Sequence, residues 1–144
     1  MSRPAFLALC VCLGIVSAVP APSRAQDQGA EPKADCNNAM STVEINFCLE
    51  KEFDKADAAL NADYKKAIAK IPKMASEKPY DAKSWEDALR ASQRAWVTFR
   101  DAECKDHVPL FWMGGTGATG EVLSCMTEMT KSRTTQLKEL YESD

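Results

Sequence analysis

Residues 41–72 read STVEINFCLEKEFDKADAALNADYKKAIAKIP, and this stretch decides the fold class. Within it Leu49, Phe53, Ala56, Leu60, Tyr64, Ala67 and Ile71 recur at steps of four, three, four, four, three and four. That spacing lays them along one stripe of an α-helix, whereas a half-buried strand would alternate every second residue. Ser41 with Glu44 three positions later makes a capping box, in which hydroxyl and carboxylate each take one free amide. The pattern predicts a helix from Thr42 to Ile71, ended by Pro72. At about 45 Å this is long for a small domain, so a bend or break is expected near Asn61. Glu50, Asp54, Lys55, Asp57, Lys65 and Lys66 fall on the opposite face and are expected to be wet.

Two further helices follow the same logic. Residues 73–83 (KMASEKPYDAK) hold Pro79 and no sustained period, which reads as a connection. Ser84 with Asp87 resembles a second cap, and Trp85, Leu89, Ser92, Trp96 and Phe99 then form a stripe running to about Cys104. A third stripe, starting near Gly120 or Glu121, comprises Val122, Met126, Met129, Arg133, Leu137 and Leu140 or Tyr141. No segment reads convincingly as a strand. The expected fold is all-α: an antiparallel three-helix bundle with a Gly-rich loop between helices two and three.

The N-terminal segment differs in kind. Arg3 precedes an uncharged apolar run from Ala5 to Val19, and Ser23-Arg24-Ala25 places small residues where a signal peptidase reads. Residues 1–25 are therefore expected to be a signal peptide cut after Ala25, which places the product in the periplasm or outside the cell. The run is too short for a membrane span, which needs about 20 apolar residues, and no later segment approaches one. Leu9 and Val11 are too bulky to precede a lipidated Cys10 or Cys12. Residues 26–35 read as a flexible leader and 36–144 as the folded domain.

Cleavage would remove Arg3 and Arg24 and no acid from 18 basic and 21 acidic side chains. The remaining 119 residues would then carry a formal charge of −5. A nucleic-acid partner is excluded on that ground, because phosphate attraction supplies most of such affinity. Four cysteines remain, Cys36, Cys48, Cys104 and Cys125, and an even count in an exported domain reads as two disulfides. Three connectivities exist. Cys104 ends helix two close to the start of helix three, and the leader can double back onto Cys48, so Cys36–Cys48 and Cys104–Cys125 are favoured.

Motifs for chemistry are sparse. Gly115-Thr116-Gly117-Ala118-Thr119-Gly120 satisfies GxGxxG, but a dinucleotide site needs a preceding strand and an acidic residue at the end of a second strand, and only a helix follows here. No CxxC pair exists and His107 is the single histidine, so no metal or other cofactor is expected and no catalytic triad is supported. The reading is of a binding protein, not an enzyme. The distinctive segment is 93–104 (QRAWVTFRDAEC), with Gln93, Trp96, Phe99, Arg100 and Asp101 as a structural motif. Trp96 and Phe99 are assigned to the buried stripe. Arg100, four residues after Trp96, can lay its stem on the indole and seek a carboxylate on another helix. Asp101 can pair with Lys105.

These pieces form an ordered set. Cys36, Ala39-Met40-Ser41-Thr42, Glu44-Ile45-Asn46 and Cys48 resemble the opening of the lysozyme inhibitor LprI-like N-terminal domain. Asp57, Leu60-Asn61 and Tyr64 resemble its next block, and Gln93-Arg94-Ala95-Trp96, Phe99-Arg100-Asp101 and Cys104 its central signature. Gly114-Gly115-Thr116, Cys125, Thr130, Arg133 and Leu137 resemble its closing section, with Thr116 where serine is expected. The resemblance spans about Cys36 to Leu140. It implies a small exported helical protein, from a family of which one branch inhibits lysozyme, and it supplies no inhibitory residue. An acidic domain would be steered to a cationic lysozyme, and Phe111, Trp112, Met113, Gly114, Gly115 and Thr116 form the candidate contact loop, unless Trp112 folds over the end of the bundle. The alternative is an envelope interaction or immunity module with another exported partner. Nothing in the sequence sets the oligomeric state.

Overall fold

The computed structural model describes residues 34–142. The signal peptide read at residues 1–25, and the leader before residue 34, lie outside the described residues. Three α-helices, α1 (Thr42–Met74), α2 (Ala82–Asp101) and α3 (Ala118–Tyr141), carry the chain, with no strand among the described residues.

The capping box that opens α1 is complete. The Ser41 amide donates to Glu44 Oε2 at 3.0 Å and the Glu44 amide to Ser41 Oγ at 3.2 Å. The helix does not end at Pro72. The proline ring takes a donor only from the Ile68 carbonyl, the Ala75 amide still reaches Ile71 O at 2.9 Å, and the helix closes at Met74. Nor does it break at Asn61, whose Nδ2 donates to Asp57 Oδ2 at 2.8 Å along the exposed side of a continuous turn. With 33 residues, α1 is about 50 Å long.

Helix α2 is capped three residues before the expected position. Asp81 is the N-cap, and its Oδ1 accepts from the Ser84 amide at 3.0 Å, so Ser84 is inside the first turn. Asp87 pairs with Lys83 instead of capping. Beyond Asp101 the backbone continues as a π-helical turn, Ala102–His107, and a 3-10 turn, Val108–Trp112. The glycine-bearing connection is thereby reduced to the few residues after Trp112.

Leu60, Ala67, Ile71, Leu89 and Leu137 form the buried cluster, with Tyr64, Ile68, Trp85, Trp96 and Tyr141 packed around it. Truncating any of the large aliphatic members to alanine costs about 2–5 kcal/mol in such settings. The partners along α1 and α3 rise together: Gly120 lies against Asn46 and Leu49, Asp63 Oδ2 is 3.3 Å from Lys138 Nζ, and Lys66 Nζ is 3.5 Å from Glu142 Oε1. On α2 the order reverses, with Leu89 in the cluster near Leu137 and Arg100 beside Asp57 and Thr130.

Two stripes are rotated from their sequence assignment. On α3 the buried residues are Met126, Thr127, Thr130, Thr134 and Leu137, while Leu140 is exposed and Arg133 half-buried. Threonine tolerates this because its hydroxyl turns back on the helix: Thr127 Oγ1 donates to Leu123 O at 2.8 Å and Thr134 Oγ1 to Thr130 O at 2.9 Å. On α2 the buried direction passes through Arg100, at 6% exposure, and Phe99 stands 59% exposed. One residue is about 100° of helix rotation. Choosing Phe99 over Arg100 follows hydrophobicity, whereas the fold selects the side that reaches α1 and α3.

Candidate functional site

Arg100 organises the centre of the molecule. Its Nε and Nη2 donate to Asp101 Oδ1 at 2.9 and 2.8 Å, and Nη1 donates to Thr130 Oγ1 at 3.3 Å and lies 3.7 Å from Asp57 Oδ1. The guanidinium carbon sits 5.2 Å from the Trp96 ring centroid and 5.5 Å from that of Phe53. Three helices thus converge on one planar cation, the geometry for which arginine is better suited than lysine. Asp101 also accepts from Lys105 at 2.8 Å. Burial acts to raise its pKa, but the bonds from Lys105 and Arg100 prevail and hold the carboxyl below its ordinary value. Gln93 accepts from Arg133 Nε at 3.0 Å. These contacts join helices and leave no open reactive group.

Both disulfides lie toward the end where α1 and α3 begin. Cys36–Cys48 and Cys104–Cys125 each bring their Cα atoms to 5.6 Å. Cys104 is buried, with its sulfur 3.5 Å from Met129 Sδ. The first bridge ties the segment before α1 to its second turn. The second ties the π-helical turn to α3.

Between them the chain presents an apolar surface. Leu110, Phe111 and Met113 are 70%, 73% and 93% exposed. Met113 and Gly114 adopt positive φ of 45° and 76°, which reverses the chain after the 3-10 turn. The Gly115 amide donates to Trp112 O at 2.7 Å, closing the reversal. Trp112 folds back over Gly117, where an added Cβ would lie 2.2 Å from its ring. The His107 ring meets Phe111 edge-on at 5.1 Å between centroids, and Glu103 Oε1 is 3.1 Å from His107 Nδ1. Thr116 is exposed in the same turn. Met40 and Val43, before and at the start of α1, are also exposed. A groove of about 530 Å³ lined by Val43, Phe47, Glu50, Asp54, Thr119 and Leu123 runs between the first turns of α1 and α3.

A feature missed in the sequence is Asp63, buried on the inner side of α1. Its Oδ1 accepts from Lys66 Nζ at 2.6 Å, and Oδ2 lies 3.3 Å from Lys138 Nζ. The bond from Lys66 and the nearby Lys138 hold its carboxyl below the ordinary 3.8, against the opposing effect of burial. Its position, three after Leu60 and four before Ala67, was the available signal. No buried side-chain nitrogen or oxygen lacks a hydrogen-bond partner, and no group of three His, Cys, Asp or Glu suited to a metal occurs among the described residues.

The cysteine pairs and the segment around Arg100 lie within the part of the chain that a known family matches. The family model described as "Lysozyme inhibitor LprI" matches residues 34–137. The chain belongs to the LprI lysozyme-inhibitor family. Over 134 residues this LprI-family protein is 33% identical to an uncharacterized protein of Rhizobium meliloti, covering 91% of the present chain and 93% of that one. It is 34% identical over 120 residues to the uncharacterized protein YecT of Escherichia coli, covering 76% and 72% respectively. No solved structure matches. The family is described by an inhibitor and not by a catalyst, and no helix among the described residues is long and apolar enough to cross a membrane.

Proposed function

We propose that this LprI-family protein inhibits lysozyme by surface contact, using the disulfide-held end. The observation that carries this reading is the run Leu110–Met113, solvent-facing on a turn anchored by Cys104–Cys125. Large apolar side chains on a rigid turn supply binding area at little ordering cost, and aromatic anchors dominate many interfaces. Glu50, Glu52 and Asp54, near the start of α1, add negative charge that attracts a cationic enzyme. Phe111 and Met113 are the anchors, Gly114, Gly115 and Thr116 let an enzyme wall approach, and Trp112 braces the turn from behind.

The three helices form, in this reading, an antiparallel bundle with α2 opposed to α1 and α3. Residues 1–25 act as a signal peptide cut after Ala25, and the protein works in the periplasm or outside the cell. Two disulfides support an oxidising compartment.

The test is lysis of purified cell walls by a lysozyme, with and without excess protein, at low and high salt. Lysis falls with added protein, less so at high salt, and the double variant Phe111→Ser/Met113→Ser weakens inhibition about tenfold or more. Undiminished lysis at saturating protein removes the reading. Retention of one non-lysozyme protein from periplasmic extract would then assign the same surface to an envelope interaction or immunity role.

A further inference from the structure

The opposite end of the molecule holds a second surface with different chemistry. A cleft of about 580 Å³ opens where α1 and α3 end and α2 begins. Trp85, Leu89, Leu137 and Pro79 form its apolar walls, and the exposed Met74 and Leu140 its rim. Its polar wall is Arg133. That guanidinium is half-buried, yet its neighbours are all neutral: Nε donates to Gln93 Oε1 at 3.0 Å, Nη2 to Ser92 Oγ at 3.1 Å and Nη1 to Gln136 Oε1 at 3.2 Å. No carboxylate among the described residues pairs with it, and Tyr141, also on the cleft wall, is a neutral phenol.

Arg100 provides the internal contrast. That buried arginine is neutralised by Asp101 and Asp57. Arg133 is held in place by three neutral oxygens, which orient the fork and leave two of its five N–H groups and the whole positive charge available. Burial disfavours the charged form of Arg133 and of the Tyr141 phenolate alike, so a cation is kept in a site that by itself opposes it. An anionic group arriving at the cleft would relieve that cost. The volume lies within the roughly 300–1,000 Å³ of small-molecule sites.

We propose that this cleft binds a single-chain amphiphile with a carboxylate head, of the medium-chain fatty-acid class. The head pairs with Arg133 and the chain lies along Trp85 and Pro79, over the buried Leu89 and Leu137, toward the Met74 and Leu140 rim. The site is distinct from the surface assigned to lysozyme, so a negative lysis assay leaves it standing.

The experiment is calorimetric titration of the mature, disulfide-intact protein with octanoate and decanoate as monomers. Decanol and decyltrimethylammonium are the head-group controls. Decanoate binds saturably, about tenfold or more tighter than octanoate, because each buried methylene is worth about fourfold. Decanol binds at least about tenfold more weakly, as does decanoate to Arg133→Gln. Leu140→Glu, at an exposed rim position that the fold does not depend on, abolishes decanoate binding and keeps the test open should Arg133→Gln fail to fold. Absence of saturable decanoate binding overturns the proposal, and so does equal binding of decanol or of the ammonium amphiphile. Binding of a peptide with an apolar, free-carboxylate C-terminus where decanoate fails would give the cleft to a protein partner and equally overturn it.

Discussion

Arg100 Nη1 donates to Thr130 Oγ1 at 3.3 Å, joining residues thirty positions apart at a point where α1 also supplies Asp57. The bond matters because Arg100 is buried and cannot exchange these partners for water. Arg100→Ala is expected to destabilise the protein by about 2–3 kcal/mol, the range for hydrogen bonds to charged groups combined with lost packing on Trp96. Arg100→Lys recovers only part, since an ammonium cannot hold Asp101 with two nitrogens and also reach Thr130. Urea unfolding of the three proteins checks the order; a lysine variant as stable as the parent would refute the role of the fork.

The two disulfides differ in what they close. Cys104–Cys125 spans 21 positions and Cys36–Cys48 spans 12. The chain-entropy relation gives ~3.3 and ~2.8 kcal/mol respectively. The buried Cys104 adds a cavity or an unpaired polar group when replaced. The Cys104→Ser/Cys125→Ser protein should therefore unfold at lower urea than Cys36→Ser/Cys48→Ser, with both below the parent. The reverse order would show that the leader contributes more than its loop length implies.

Gly117 has ordinary negative φ, so alanine is opposed there only by the Trp112 ring. Gly117→Ala should push the indole into solvent, shift its emission to the red and cost about 1 kcal/mol. The shift must vanish in a Trp112→Phe background, which separates Trp112 from Trp85 and Trp96. If Trp112 braces the neighbouring anchors, Gly117→Ala also weakens lysozyme inhibition.

Asp63 sets a pH dependence. Its folded pKa lies below the ordinary 3.8, so the unfolded chain binds the proton more readily. The stabilisation is present above about pH 4 and is lost as pH falls through the lower folded value. Asp63→Asn should thus be less stable than the parent at neutral pH, with the gap narrowing in acid. A gap independent of pH between 2 and 7 would assign the effect to shape and not to charge.

Much of the helical content was legible in the chain because it is local. The capping box at Ser41–Glu44, the stripe from Leu49 to Ile71 and the turn residues around Gly114 depend on neighbours within a few positions. The favoured cysteine pairing followed from the same local reading, since each pair lies close along the chain once the helices are placed. Phe99 was misjudged and Asp63 missed for one reason. Hydrophobicity ranks side chains singly, whereas burial of Arg100 over Phe99 depends on Asp57 and Thr130, and burial of Asp63 on Lys138, all far along the chain.

Sequence by itself determined three helices, the cap that opens the first and the family, and it favoured the cysteine pairs, since periodicity, local hydrogen bonding and ordered motifs are properties of a linear string. Only the tertiary structure decided which side of α2 and α3 faces inward, that threonines fill much of that face, and that Arg133 sits uncompensated in an apolar cleft. Those outcomes depend on which distant groups meet: Arg100 is buried where Asp57 and Thr130 arrive, and Arg133 is oriented where Gln93 and Ser92 do, whereas the inward Thr127 and Thr134 hydroxyls are satisfied by their own helix.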